Sequence, residues 1–364
     1  MTTEFSPRDR VLRSLNHEES DIVPYHIAID SDCLDLLNNK GTTVRNLLSK
    51  LENHLPHVGL ESHKHWTGED TYYDDFGCGW KELNSVPHLF DNPLKEPDLK
   101  GYVFPNLLDK KYFQEVDQFI EDHQNYFRLC GIVFGYYDRY WALRGYENFL
   151  SDVVLNPSFV EALLEPLIDS YFRLIDRISQ YRFDGIRFAD DWGYQRGIVI
   201  GADRWRKLFL PGLQKVFHHA RNKNLAVMVH ADGDLTEIIP DLIEAGVEIL
   251  NPVQPECMDI LWLKKEYGKH LCFNGGISSQ LTIPRGSPEQ IKKEIRAAMR
   301  YIGKNGGYII GPTKSLNKAV PVENNLAVLD GIINQNLNLP WNDEEDCFPD
   351  QVEELWMVYK AFHD

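Results

Sequence analysis

Cysteine is scarce in this chain of 364 residues, and what there is lies scattered. The six residues, at positions 33, 78, 130, 257, 272 and 347, contain no CxxC pair. That spacing excludes a disulfide framework and fits reduced thiols, most of them small core residues. No run of about twenty apolar residues occurs, which excludes a membrane-spanning helix, and "MTTEFSPRDRVLRSL" carries charges where a signal peptide needs an apolar stretch. The expected location is therefore cytoplasmic, away from any membrane. Basic residues are also short, 38 against 55 acidic ones, for a net charge of −17. A nucleic-acid or anionic-membrane surface needs a basic stripe, so both partners are excluded. No tandem repeat, low-complexity tract or Gly-rich phosphate loop after the first strand is present.

What is present is a globular composition, 43% apolar, 12% aromatic and 26% charged. From residue 126 onward short β-rich apolar runs alternate with helical patterns, the signature of βα units around a parallel sheet. The runs are "FRLCGIVFG", "GIRFADDWG", "LAVMVHADG", "VEILNPVQP", "LCFNGGIS" and "GGYIIGPTKS", with "VPYHIAID" as a seventh and residues 57–61 as a further strand. Helix boundaries between them are plain. "NPSFVEALLEPLIDSYFRLIDRISQY" opens on Asn-Pro, and "SPEQIKKEIRAAMRYIGKNGG" has a Ser cap, Pro at its first position and paired glycines at its end. The count predicts an eight-stranded (β/α)8 TIM barrel; a doubly wound open sheet is the alternative, without a dinucleotide loop to support it. Residues 1–336 form the barrel domain. Residues 62–105 read as a short hairpin and long loop on its rim. Residues 337–364 read as an acidic linker and an amphipathic helix that packs on the barrel and whose apolar face suits a homodimer contact.

In such a barrel the working residues sit at the C-terminal strand ends. Here the ends carry Asp190, Asp191 and Trp192; His230, Asp232 and Asp234; Asn251 and Gln254; Asn274; and Thr313 and Lys314. His230 and Asp232 lie two apart, on one side of a continuing strand, which suits a zinc site or an acid-base pair. Asp190 and Asp191 are adjacent, so one of them enters the mouth and the other faces away. Lys314 offers a cation to an anionic substrate or stands on the rim. His63 and His65 have HxH spacing without a third ligand and read as loop histidines.

The opening "SPRDRVLRSLNHEESDIVPYHI" resembles the "TPRERVLAALRGEEPDRVP" start of the uroporphyrinogen decarboxylase superfamily. The likeness continues through "FADDWGYQRGIVIGADRWRKLFLPGLQKVFHHA", "VHADGDLTEIIPDLIEAGVEILNPVQPE", "FNGGISSQ" and "NGGYIIGP" to "VPVENNLAVLDGI". The resemblance implies a (β/α) barrel and two possible chemistries. True uroporphyrinogen decarboxylases carry an Arg-rich "RQAGR" motif after the first strand; here that place reads "VPYHIAIDSDCLDLL", with three acids and no arginine. A polyanionic tetrapyrrole is poorly served by it. The other branch holds cobalamin-dependent methyltransferases, whose zinc members place HxC on the strand matching "VHADG" and Cys on the strand matching "GGYIIGPTKS". His230 matches the histidine, whereas Asp232 and Lys314 stand where thiolates would be.

The resemblance therefore implies methyl transfer between a small methoxylated or methylated compound and a corrinoid protein, with His230 and Asp232 as zinc ligands or as a metal-free pair activating the leaving heteroatom. Asp191 or Asp190 orients them, Lys314, Asn274 and Gln254 position substrate, and Tyr137 and Trp192 form an apolar wall. The alternatives are a metal-independent decarboxylase or lyase of a small carboxylate, with Lys314 holding the acid, and a non-catalytic relative that binds a corrinoid partner.

Overall fold

The computed structural model describes residues 5–83, 86–335 and 348. Its strands follow in chain order. β1 is His57–Leu60; β2 (His65–Trp66), β3 (Thr71–Tyr73), β4 (Gly79–Leu83) and β5 (Val86–Asp91) form a separate antiparallel sheet; β6 is Leu129–Ile132 and β7 is Gly185–Ala189. A two-stranded ribbon, β8 (Gly193–Tyr194) and β9 (Gly197–Ile198), precedes β10 (Ala226–His230), β11 (Ile249–Val253), β12 (Cys272–Ile277) and β13 (Tyr308–Pro312). Seven of these run side by side in parallel, in the order β1-β6-β7-β10-β11-β12-β13.

The near-continuous apolar runs follow from burial on both faces. Along β10, Val227 and Val229 pack outward against the helical layer, while Ala226 and Met228 join Leu129, Ile249, Cys272 and Ile309 inside the barrel. The floor of the lumen is closed by Val11, from helix Pro7–Leu15, with Leu55 and Phe127. That helix starts on a Ser6/Asp9 capping box and is tied to β13 by Ser14, whose Oγ donates to the Tyr308 carbonyl and accepts from its N–H, both at 2.9 Å.

The eighth stave is the "VPYHIAID" segment, and it closes the barrel largely without a ladder. On one side it forms two parallel bridges, Tyr25 to Ile310 and Ile29 to Leu316. On the other, the Asn53 side chain imitates a neighbouring strand: its Oδ1 accepts from Ile27 N–H at 2.7 Å and its Nδ2 donates to Ile27 C=O at 2.9 Å. His54 completes the seam, donating from its backbone to Tyr25 C=O and accepting from Tyr25 N–H at Nδ1, both at 3.0 Å. The architecture is thus the expected TIM barrel.

The insertion after β1 is a four-stranded antiparallel sheet rather than a short hairpin. Asp74 anchors it: Oδ1 accepts from Phe76 and Cys78 N–H, and Oδ2 accepts from Trp80 Nε1 at 3.1 Å and from Arg139 at 2.6 Å. Arg139 lies in helix Tyr137–Arg144, after β6, so the sheet is bolted to the barrel at the mouth end. The expected linker and helix of residues 337–364 fall outside the described residues except for Phe348, which is buried and stacks against Tyr301. No helix among the described residues is long and apolar enough to cross a membrane.

Candidate active site at the barrel mouth

β7 and β10 run in register so that Ala189 pairs with His230, and His230 with Asn251 of β11. Just beyond this row, Asp190 and Asp191 diverge as their adjacency requires. Asp190 turns back into the protein and is 4% exposed. Its carboxylate accepts from Tyr136, Tyr137 and Asp138 N–H and from Trp192 Nε1, at 2.8–3.1 Å, and so holds the turn that opens the helix after β6. Burial nevertheless raises its pKa to about 6. Burial, together with the charges of Asp190 and Asp191, also pushes Asp138 upward.

Asp191 turns into the mouth. Its backbone N–H donates to Asp138 Oδ2 at 3.2 Å, and its Oδ1 accepts from Asp232 N–H at 3.0 Å. One ligand atom each from Asp191, His230 and Asp232 fall within 4.8 Å of one another. The loop carrying Asp232 turns at Gly233, with φ of 91°, where an added Cβ would meet the backbone of Gly193 and Tyr194 at 2.6 Å. Only glycine permits that approach, which brings the β7 and β10 loops together.

A relay of amides sets the chemistry of His230. Asn274 donates from Nδ2 to the Ile309 carbonyl at 2.9 Å, so its Oδ1 accepts from Asn251 Nδ2 at 2.6 Å. Asn251 must then present Oδ1 to His230 Nδ1, also at 2.6 Å, and that nitrogen carries the proton. The lone pair of a neutral His230 is left on Nε2. Burial lowers the pKa of this imidazole and Arg187 lowers it further, while Asn251, Asp191 and Asp232 pull the other way. Lys314 is ion-paired with Asp232 Oδ2, whereas Asp232 Oδ1 is buried without a hydrogen-bond partner.

These donors fit a divalent cation. An imidazole nitrogen with its other nitrogen held by a neighbour and two carboxylates, one with an orphaned buried oxygen, form a nitrogen/oxygen set suited to zinc or a similar ion with an open position. They do not form a site for activating a thiol acceptor, which calls for sulfur ligands.

Below the cluster the lumen carries histidines. His57 lies in β1, whose Val58 and Leu60 belong to the outer core, so His57 points inward, 6.0 Å from the His26 ring. His57 keeps exposed surface while protein surrounds it on most sides, and burial, with Arg187 and His230, lowers its pKa to about 4. His26 falls to about 3 by burial, with His57 and Arg187 adding to it.

The structure thus brings His230, Asp232 and Asp191 together with Lys314, and places the other expected residues elsewhere. Asn274 is 2% exposed and braces Asn251; Gln254 is 3% exposed and accepts from Gly233 N–H at 2.6 Å. Both shape the site from behind and offer substrate little surface. Tyr137 and Trp192 are corrected outright as wall residues. Each is essentially fully buried, Tyr137 against Phe149 and Phe209 and Trp192 against Trp205, because both anchor the Asp190 turn in the core. His63 and His65 lie on the rim around Asp75, which Lys111 also occupies. Arg187, His57 and His26 were not anticipated. The signal for Arg187 was its place inside a strand apolar on both sides, where a guanidinium has only the lumen to face. A cleft of about 480 Å³ at the opposite end of the barrel, lined by Ser14, Val23 and Tyr308 among others, shares no residue with the cluster.

One solved structure shares this architecture. A solved methyltransferase from Methanosarcina mazei superposes with a TM-score of 0.68 at 17% identity, covering 91% of this chain and 99% of its own. A xylose isomerase-like TIM barrel protein from Mycobacterium smegmatis, in complex with magnesium, gives 0.33 at 14% identity over 62% of this chain and 79% of its own. No curated protein matches the chain in sequence. Residues 84–333 match the family described as Uroporphyrinogen decarboxylase (URO-D), and the chain belongs to that family.

Proposed function

We propose that this URO-D family enzyme is a methyltransferase that moves a methyl group between a small methoxylated or methylated compound and a corrinoid protein. Family membership leaves the reaction open, since one fold hosts several chemistries. The observation that carries the reading is the convergence of Asp191, His230 and Asp232 around an imidazole whose Nε2 lone pair is free. The segment after the first stave supports it by contrast. It bears Asp30, Asp32 and Asp35 where a porphyrinogen decarboxylase has arginines, and Asp32 pairs with Lys318 at 2.8 Å.

His230 Nε2, Asp232 Oδ1 and Asp191 would hold a divalent cation such as zinc, which supplies Lewis acidity to the heteroatom losing its methyl group. Asn251 and Asn274 hold the imidazole in the tautomer that binds rather than donates. Lys314 neutralises the second oxygen of Asp232 and presents N–H donors at the rim.

Incubation with cob(I)alamin and a panel of methoxylated and methylated compounds, followed by absorbance, tests the reading. Conversion to methylcobalamin that is lost in His230→Ala and Asp232→Ala is expected. Carbon dioxide release from small carboxylates without cobalamin methylation would replace it with a decarboxylase, and unchanged turnover in both alanine variants would remove the assigned site.

A further inference from the structure

Behind the mouth, two buried acids from different elements meet on one serine. Ser278 follows β12 directly and has no exposed surface. Its backbone N–H donates to Glu294 Oε1, on helix Pro288–Tyr301, at 2.8 Å, and its hydroxyl donates to Glu256 Oε1, in the loop after β11, at 2.6 Å. Glu294 is fully buried and Glu256 is 8% exposed. The second oxygen of each is sealed from solvent and has no hydrogen-bond partner, and neither acid forms an ion pair with a described residue.

Two carboxylates held this way without a cation do not both keep a charge, since each loses its hydration and each repels the other. The hydrogen bonds decide which one does. Glu256 Oε1 accepts twice, from Ser278 Oγ and from Gln280 N–H at 2.9 Å, which favours its ionised form. Glu294 accepts once, from a backbone N–H, so the proton falls to Glu294. Its other neighbours supply no cation. The Thr282 side chain stands beside it without completing a hydrogen bond, and Tyr308 of β13 commits its hydroxyl to the Gly275 carbonyl at 2.9 Å. On the neighbouring helix Val322–Ile333, Asp330 is paired with Lys292, and neither it nor Glu323 acts on Glu294. Burial, with the charge of Glu256 adding to it, raises the Glu294 pKa to about 7.

The cluster is placed to control the mouth. Ser278 Oγ also accepts from Leu281 and Thr282 N–H, at 3.1 and 3.2 Å, which fixes the turn into helix Thr282–Arg285. The next residue, Ser279, accepts at Oγ from Lys314 N–H at 3.0 Å. The Glu256 carbonyl accepts from Gln195 Nε2 at 2.6 Å, which ties in the β8–β9 ribbon.

We propose that Glu256, Ser278 and Glu294 form a proton-operated latch: a proton on Glu294 holds the loop after β12, and the backbone of Lys314 behind it, and loss of that proton loosens the hold. When the loop opens, Glu294 meets water and ionises near its ordinary 4.5, whereas the closed loop keeps the proton to about 7. The hold is therefore tightest below 4.5 and weakens about tenfold per pH unit up to about 7. It does not depend on the reaction proposed above.

Amide hydrogen exchange of the full chain, corrected for the intrinsic pH dependence of exchange, tests this. Between pH 5 and 7, peptides covering residues 277–282 are expected to open roughly tenfold or more often in the wild type, against less than about twofold in Glu294→Gln, which keeps the shape of the protonated acid. Equal pH dependence in the two proteins, or none in the wild type, would overturn the proposal. Carbon NMR of protein labelled in its glutamates reads the proton itself, free of signals from the raised aspartates Asp138 and Asp190. One glutamate titrating near 7 in the wild type and missing from Glu294→Gln is expected. Should Glu294→Gln not fold, Glu256→Gln removes the like charge and should move that titration to lower pH. A wild type in which no glutamate titrates above about 6, or a titration unmoved in Glu256→Gln, would sink the latch.

Discussion

Asn251 governs what His230 is able to do, because the protein-bound end of the imidazole determines what the free end offers. Replacing Asn251 with Leu removes the acceptor at Nδ1 and frees both the tautomer and the ring. Metal affinity, read by chelator competition, is expected to fall roughly 10- to 100-fold. In metal-free protein the depressed pKa of His230 keeps it neutral below the usual 6.5, and Arg187 is part of the cause. Removing that positive charge favours the imidazolium, so Arg187→Met should move the His230 titration, followed by NMR, to higher pH; a downward move would contradict the placement. The convergence of Asp191, His230 and Asp232 at the strand ends was legible in the sequence, since period-two alternation brings His230 and Asp232 to one side and separates Asp190 from Asp191. Tyr137 and Trp192 were not, because an aromatic beside an acid reads the same whether it walls a pocket or donates its indole N–H to the acid from inside the core.

At the level of elements, the seam between the first stave and β1 rests on the Asn53 side chain amide together with His54. Asn53→Ala removes two hydrogen bonds to Ile27 and leaves a backbone N–H and C=O unpaired in a partly buried place. A loss of about 1–3 kcal/mol in urea unfolding is expected. The apolar runs announced the parallel strands because both faces are covered. "VPYHIAID" was equally plain as a stave, yet its pairing through Asn53 and His54 could not be read, since a side chain standing in for a strand leaves no periodic mark. The rim sheet was underestimated for a related reason: β2 and β3 have two and three residues, too short for alternation to show.

For the molecule as a whole, buried neutral histidines tie stability to pH. His54 has no exposed surface, accepts from Tyr25 N–H and lies 3.2 Å from Arg10; burial first, then Arg10, lowers its pKa to about 3. The unfolded chain takes up a proton near 6.5 and the folded chain does not. Stability is therefore complete above that pH and declines as pH falls toward 3. At pH 5 this residue alone should cost about 2 kcal/mol, visible as a lower urea midpoint than at pH 7. The net charge of −17 adds a second dependence: moderate salt should raise the thermal midpoint at neutral pH by screening self-repulsion. The seam also bears on how the chain is made. Ile310 and Leu316, the bridging partners of the first stave, leave the ribosome nearly three hundred residues after it, whereas Asn53 and His54 follow within about thirty. During synthesis the stave is therefore held by its local side-chain clasp alone, and the barrel shuts as a late event when the last strand arrives.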